Sequence, residues 1–424
     1  MRVEIIAVGS ELLTPDRLDT NSLFITERLN DIGIEVQAKS VVGDDPARLR
    51  AVFVDALERA DLLVLTGGLG PTDDDLTRDV VADVLERALE YDERVFEAIE
   101  RRFAGRGLSV PAINRRQAMI PRGAAILENH NGTAPGLWVE HGQKTIVLLP
   151  GPPREMRPMI EAVVHERLSP DAGSVRLFRR VLRMTGRTES HVEEALQPLY
   201  ARWAVGRVPI AATILAAPGQ IELHLTAKAL DAGEGRAVLG KAVTDVEGVL
   251  GASLFSSDGR SLEQVVGDLL RARRLRIALA ESCTGGLASS RVTDVSGSSK
   301  YMERGVVAYS NRAKTELLGV PEALIAAHGA VSEAVAEAMA DGVARTARVD
   351  LGVGITGVAG PQGGTPQKPV GTVVISAVWI RGTGTEVRTR TWHFPGEREQ
   401  IKFQASQAAL NLVRRWLLAE PMDE

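Results

Sequence analysis

Apolar runs that break off at glycine or a small polar turn, then resume as amphipathic helices, recur along this chain. That rhythm narrows the fold class more than any other feature. VEIIAVG at 3–9 and DLLVLTGG at 61–68 are apolar almost throughout, as strands covered on both faces are. EVQAKSVVG at 35–43 and KTIVLL at 144–149 read as further strands. NSLFITERLNDIG at 21–33 and PARLRAVFVDALERA at 46–60 carry apolar residues at helical spacing, the first with Gly33 placed as a C-cap. DDDLTRDVVADVLE at 73–86 predicts the helix after the third run. The reading is α/β, with a doubly wound parallel sheet. Ligands bind such sheets beyond the carboxyl ends of the strands. Here those ends are GSELL, TGGLGPTDDD and PGPPRE.

The pattern changes over residues 169–255. RLFRRVLRMTG at 176–186 and GQIELHLTAKAL at 219–230 read as strands with one exposed face. ESHVEEALQPLYARW at 189–203 and AGEGRAVLGKAVTDVEGVL at 232–250 read as helices. This is a small α+β connecting domain without a chemical motif, followed by the linker-like SSDGRS. A second α/β unit runs from 256 to 424, with strands at 275–281 and 303–310, a strand and Gly turn at 351–361, a strand at 370–380 and a closing helix at 398–418. The expected division is therefore 1–168, 169–255 and 256–424, and 424 residues exceed one ordinary core.

Composition closes off several classes. Seven scattered histidines and one cysteine offer no zinc-type spacing, and one thiol cannot form an internal disulfide. Together with the absence of a signal-peptide pattern, this predicts a reducing cytoplasm. No apolar stretch reaches membrane-spanning length. A net charge of −5 disfavours direct nucleic-acid binding.

Two turns carry candidate chemistry. In TGGLGPTDDDLT, Gly67, Gly68 and Gly70 let a ligand approach the backbone, and the next helix start can face a phosphate. Asp73, Asp74 and Asp75 are candidate oxygen ligands for a hard divalent cation, or simply helix-start carboxylates. Ser10, Glu11, Asp19 and Asn21 are expected to line the same cleft, and Glu155 either helps or belongs to a rigid turn.

The second turn is ESCTGG. Ser282 stands between strand and helix, placed like a nucleophile elbow, and the amides of Thr284, Gly285 and Gly286 are expected to face an oxyanion or phosphate. The motif is not GxSxG, and only His328 and His393 lie in this domain, so the base must be something else. AYSNRAK supplies Tyr309 and Lys314, with Asn311 as the expected N-cap. Burial and the positive helix end both disfavour an ammonium at Lys314, leaving an amine able to accept a proton. Cys283 is intrinsically the better nucleophile. Spacing alone leaves Ser282 and Cys283 both open.

These motifs also carry a family resemblance. GSELL, DTNS, TGGLGPTDDDLT and PGPPREM make about 1–168 resemble the molybdopterin-binding (MoaB/MogA-like) domain in its CinA-type variant. ESCTGG, ERGVVAYSNRAK, HGAVSE, GITGVAGPQGG, KPVGTV and GERxxIK make about 260–420 resemble the C-terminal domain of the CinA (competence/damage-inducible) proteins, which is similar to nicotinamide mononucleotide (NMN) amidohydrolases. The resemblance implies that Ser282 attacks, with Tyr309 and Lys314 assisting, and that NMN and water give nicotinic acid mononucleotide and ammonia without a metal. It further implies nucleotide contacts from Thr356, Gly357 and Gly360 and phosphate contacts from Arg398 and Lys402. The family often has Arg where Lys402 stands, so bidentate phosphate binding is not carried over at that position. For the N-terminal domain it implies a pterin- or nucleotide-shaped cleft, in some members an ADP-ribose pyrophosphatase that needs a divalent metal cation. A homodimer is implied as well. The other reading the resemblance allows is a pterin- or nucleotide-binding adaptor in competence or the DNA-damage response.

Overall fold

A computed structural model describes residues 1–168, 175–382 and 384–419. The expected boundary after residue 168 meets the segment 169–174, which lies outside the described residues. The chain packs as two compact units, Met1–Phe178 with Ala227–Ala237, and Arg179–Thr226 with the residues from Val238 onward.

In the first unit, Val3–Val8 is buried at every position and runs at the centre of the parallel strands. Val36–Val42 flanks it on one side and Leu62–Thr66 on the other, both parallel, and Lys144–Leu149 pairs in parallel beyond Leu62–Thr66. Val8 pairs with Val42, Ala7 with Thr66 and Thr66 with Leu149. The turns after Val8, Thr66 and Leu149 therefore open on one edge. The sheet departs from the expected all-parallel form, because Gly136–His141 returns antiparallel against Lys144–Leu149 and Ala125–Leu127 pairs antiparallel beyond it. The reversal is a tight turn with Gly142 at φ 61°, a left-handed conformation that glycine adopts without penalty. The helix Thr20–Asp31 is capped by Asp19, whose carboxylate accepts the Ser22 amide at 2.9 Å.

The helix after TGGLGPTDDD begins only at Thr77, not at Asp73. Thr72 explains the delay. Its amide and hydroxyl donate to the Asp75 carboxylate at 2.9 and 2.5 Å, and the Asp75 amide returns to the Thr72 carbonyl at 3.1 Å. This local ring competes with helix.

A four-stranded sheet carries Ile210–Ala217, Gln220–Ala229, Arg176–Met184 and Leu254–Ser256 in that order. Helices Glu189–Ala204 and Ala232–Leu250 accompany it, so the connecting segment is α+β as read.

The last sheet has the order Met302–Val307, Ile277–Glu281, Leu351–Gly357, Thr372–Arg381, Gly384–His393. Its first three strands are parallel and the last two antiparallel. Helices Leu262–Arg273 and Arg398–Leu417 contribute to one apolar cluster with the central strands, and Glu333–Ala347 to another. The helix Glu333–Ala347 lies so close to its strand that a Cβ on Gly354 would stand 2.3 Å from the Ala336 carbonyl oxygen. Backbone cannot yield as a flexible side chain can. Gly354→Ala is therefore expected to cost about 1–3 kcal/mol, read as a fall in thermal midpoint. A midpoint equal to wild type would refute this close approach.

Candidate active site

Glu281 pairs with Val307 on one neighbouring strand and with Ile355 on the other. Three parallel strands thus end level, and each feeds one part of a site. Ile277–Glu281 leads to Ser282, Met302–Val307 to Tyr309 and Lys314, and Leu351–Gly357 to the Gly-rich loop. The helix carrying Lys314 is Asn311–Leu318, and its N-cap is Ser310, which accepts the Ala313 amide at 3.0 Å. Asn311, the expected cap, is instead the first helical residue.

Ser282 and Lys314 are brought together as expected. Their Oγ and Nζ atoms are 3.0 Å apart, and both side chains are buried. Lys314 Nζ also lies 2.9 Å from the Ala308 carbonyl and 3.4 Å from that of Tyr309. No carboxylate among the described residues forms an ion pair with it. Burial pushes the Lys314 ammonium below the ordinary lysine range, opposed in part by the neighbouring Cys283. A neutral lysine has two N–H donors and one lone pair. With the amine neutral, the two carbonyls can take its donors and leave the lone pair for the Ser282 hydroxyl.

Cys283 does not share that activation. It is 4% exposed and belongs to the apolar core. Burial, with a smaller contribution from Glu281, pushes its thiol up to about 12. The thiolate that makes cysteine nucleophilic is therefore suppressed near neutral pH. The geometry favours Ser282.

Tyr309 is not brought to the Ser282–Lys314 pair through its ring. Its side chain is exposed, and its hydroxyl accepts from Arg398 Nη2 at 3.1 Å. The backbone carbonyl of Tyr309, not its phenol, meets Lys314. Arg398 also donates from Nη1 to the Gly360 carbonyl at 2.7 Å. Tyr309, Arg398 and Gly360 thus form one connected group, with Arg398 on the first turn of the closing helix. Lys402 is one turn further along, and its ammonium stands 3.7 Å from where a Cβ on Gly285 would be. Thr356 is buried and gives its hydroxyl to the Ala330 carbonyl at 2.8 Å, which makes it a support for the loop. Gly357 lies against the backbone of Thr372, where a Cβ would come within 2.7 Å of the carbonyl oxygen.

The expected amide cradle needs revision, because Glu281 occupies part of it. This carboxylate is fully buried at the end of an apolar strand. One oxygen accepts the amides of Gly286 and Ala288 at 3.0 and 3.1 Å. The other accepts the Ser289 amide at 2.8 Å and its hydroxyl at 2.6 Å. The Gly285 amide is used as well, donating to the Ser282 carbonyl at 3.1 Å. Of the turn amides, those of Cys283 and Thr284 are the ones that donate to no backbone carbonyl or carboxylate among the described residues. Sequence reading passed over Glu281. A lone acid closing an otherwise apolar strand was the available signal.

The first unit holds a separate cleft of about 700 Å³ at the level strand ends. Glu11, Asn21, Gly67, Gly68, Gly70 and Glu155 line it, together with Asp19, Asp74 and Asp75. Ser10 and Asp73 do not. Ser10 exchanges hydrogen bonds with Asp44 at 2.8 and 2.9 Å, and the fully exposed Asp73 pairs with Arg116 at 3.0 Å. Asn21 donates to Thr66 Oγ1 at 3.1 Å and to the Gly151 carbonyl, so it ties two of the turns together. Its Oδ1 is buried without a hydrogen-bond partner among the described residues. The three aspartates do not converge. Asp74 and Asp75 are turned onto Thr72, and among the described residues no group of three His, Cys, Asp or Glu side chains could hold a metal ion. The residues present do not by themselves fit a divalent cation.

Comparison with known proteins matches three families along the chain. Residues 4–170 match the "Probable molybdopterin binding domain", 179–256 the "Damage-inducible protein CinA KH domain" and 259–417 the "CinA C-terminal domain". A CinA-like protein of Koribacter versatilis is 44% identical over 99% of this chain and 100% of its own length. A CinA-like protein of Solibacter usitatus is 41% identical over 98% of each. Among solved structures, a CinA protein of unknown function from Thermoplasma acidophilum is 35% identical, covers 39% of this chain and 96% of its own, and has a TM-score of 0.37.

Proposed function

This chain belongs to the CinA family, and from that footing we propose that its C-terminal domain is a serine amidohydrolase that converts NMN and water to nicotinic acid mononucleotide and ammonia. The observation that carries the reading is the buried 3.0 Å contact between Ser282 Oγ and a Lys314 amine with no ion-pair partner among the described residues. Lys314 takes the hydroxyl proton as Ser282 Oγ bonds to the carboxamide carbon. The resulting oxyanion is met by the amides of Cys283 and Thr284. The proton on Lys314 passes to the leaving nitrogen, the C–N bond breaks and ammonia departs. Lys314 then activates water, and the ester to Ser282 is hydrolysed. Arg398 and Lys402 supply cations for the nucleotide phosphate, from the first turns of one helix. The test is ammonia release from NMN by the purified full chain, with nicotinic acid mononucleotide as the accompanying product. Absence of both overturns the reading.

The base role fixes the sign of the pH dependence. Lys314 must be unprotonated to act, and burial lowers its pKa. Turnover is expected to rise with pH and to level off below the ordinary lysine range. Lys314→Arg keeps a cation that stays protonated, so it should be nearly inactive across the whole range. A wild-type rate that falls through the same interval contradicts the base assignment.

The N-terminal domain is proposed to bind a nucleotide or pterin, with ADP-ribose the candidate substrate. Support comes from the Gly67–Gly70 turn and the unpartnered Asn21 Oδ1 at the cleft. Asn21→Leu should weaken ADP-ribose binding by calorimetry at least tenfold. Unchanged affinity would remove Asn21 from that site.

A further inference from the structure

A second large cleft, about 1010 Å³, lies within the second unit and contains none of Ser282, Lys314, Arg398 or Lys402. Its lining includes Arg187, whose guanidinium faces it, together with Arg390 and Arg415. The N-terminal end of the helix Glu189–Ala204 opens there too, with Thr188 as cap. The helix dipole and the Arg187 guanidinium thus both favour an anion at this end of the cleft. Arg187 is held by a 2.8 Å hydrogen bond from Nε to Ser253 Oγ. Its two terminal nitrogens bond to no other described residue, so a placed, partly open fork faces the cleft.

The opposite wall is aromatic. Trp392 and Phe394 alternate along the strand end and lie nearly parallel, with ring centroids 6.4 Å apart and planes 11° apart. Both pack against the apolar core with one side, and both line the cleft. Arg390 lies over the Trp392 ring, 5.6 Å from its centroid. Stacked aromatic faces and guanidinium groups are the surface that planar rings prefer.

We infer that this cleft is a binding site for a mononucleotide, with its base on Trp392 and Phe394 and its phosphate at Arg187 and the Glu189–Ala204 helix start. The volume suits a ligand of that size. The site is also joined to the Gly-rich loop by backbone. Phe394 donates to Gly371 at 2.9 Å, and Gly371 to Val358 at 2.8 Å.

The test is photolabelling of the full chain with 8-azido-AMP, followed by peptide mapping. Label is expected on peptides containing Thr185–His191 or Arg390–Phe394, displaced by AMP but at least tenfold less readily by inorganic phosphate. Arg187→Glu, on an exposed side chain, should reduce that label at least tenfold. Thr188→Asp should do the same while keeping a good N-cap, so a loss there is not a folding failure. Label confined to the peptides of Gly67–Gly70 or Ser282–Gly286 overturns the site. So does labelling unchanged in both variants. Displacement by phosphate as readily as by AMP removes the base stack. Displacement by an oligonucleotide but not by AMP assigns the cleft to nucleic acid instead.

Discussion

Ser282→Ala is expected to lower ammonia release from NMN by about 10⁴-fold or more, and Lys314→Ala by a similar factor, with the double variant little worse than either. Nucleophile and base act as one unit. Without Lys314, the hydroxyl has no acceptor for its proton. Without Ser282, the amine has no oxygen to activate. Cys283→Ala separates this from the thiol alternative. The thiol is buried, held well above its usual range and part of the core, so its loss should leave most turnover and cost mainly stability. Rapid kinetics should show an acyl-enzyme on Ser282, trapped as a covalent adduct by mass spectrometry. An inactive Cys283→Ala beside an active Ser282→Ala would transfer the nucleophile to sulfur.

The strand-and-turn rhythm made the fold class legible, because apolar runs such as VEIIAVG match strands buried at every position. The strand Gly384–His393 was not legible. It is an edge strand paired only with Thr372–Arg381, and its residues alternate between threonine and charge without an apolar face. Tertiary pairing makes it a strand, and periodicity alone could not. The same limit applied at the sites. Ser282 and Lys314 could be paired from motif spacing, since each follows a strand end. Tyr309 shares that strand end, yet its phenol is directed to Arg398. The orientation of an exposed ring depends on a partner 89 positions away in sequence. Asp73–Asp75 read as one cluster, but only Asp74 and Asp75 meet, at the Thr72 hydroxyl, while Asp73 turns away. One carboxylate met Arg116 and the other two met Thr72.

Glu281 shows most clearly how the turn gets its shape. Four donors converge on its two oxygens: the amides of Gly286, Ala288 and Ser289, and the Ser289 hydroxyl. These include the Ala288 and Ser289 amides in the first turn of the helix Leu287–Thr293, which have no partner within the helix. By taking them internally, Glu281 leaves the Cys283 and Thr284 amides as the donors proposed for the oxyanion. Glu281 is thus a positioning residue. Glu281→Gln preserves shape but converts one acceptor into an NH₂ donor. The side chain can then satisfy either the Gly286 and Ala288 amides or the Ser289 amide, not both. Each hydrogen bond to a charged group is worth about 1.5–3 kcal/mol, so a fall in stability of about 2 kcal/mol is expected. Stability alone would not distinguish positioning from scaffolding. The discriminating measurement is the split between kinetic constants in folded enzyme, well below its melting temperature. A displaced turn moves the proposed oxyanion donors while Arg398 and Lys402, the proposed phosphate contacts, stay in place. kcat should therefore fall by about 10²-fold or more, the loss typical of one oxyanion-hole donor, with KM changed little. Glu281→Asp, which restores the charge on a shorter arm, should recover part of kcat. Equal losses of stability in both variants with kcat at the wild-type value would reduce Glu281 to a helix cap.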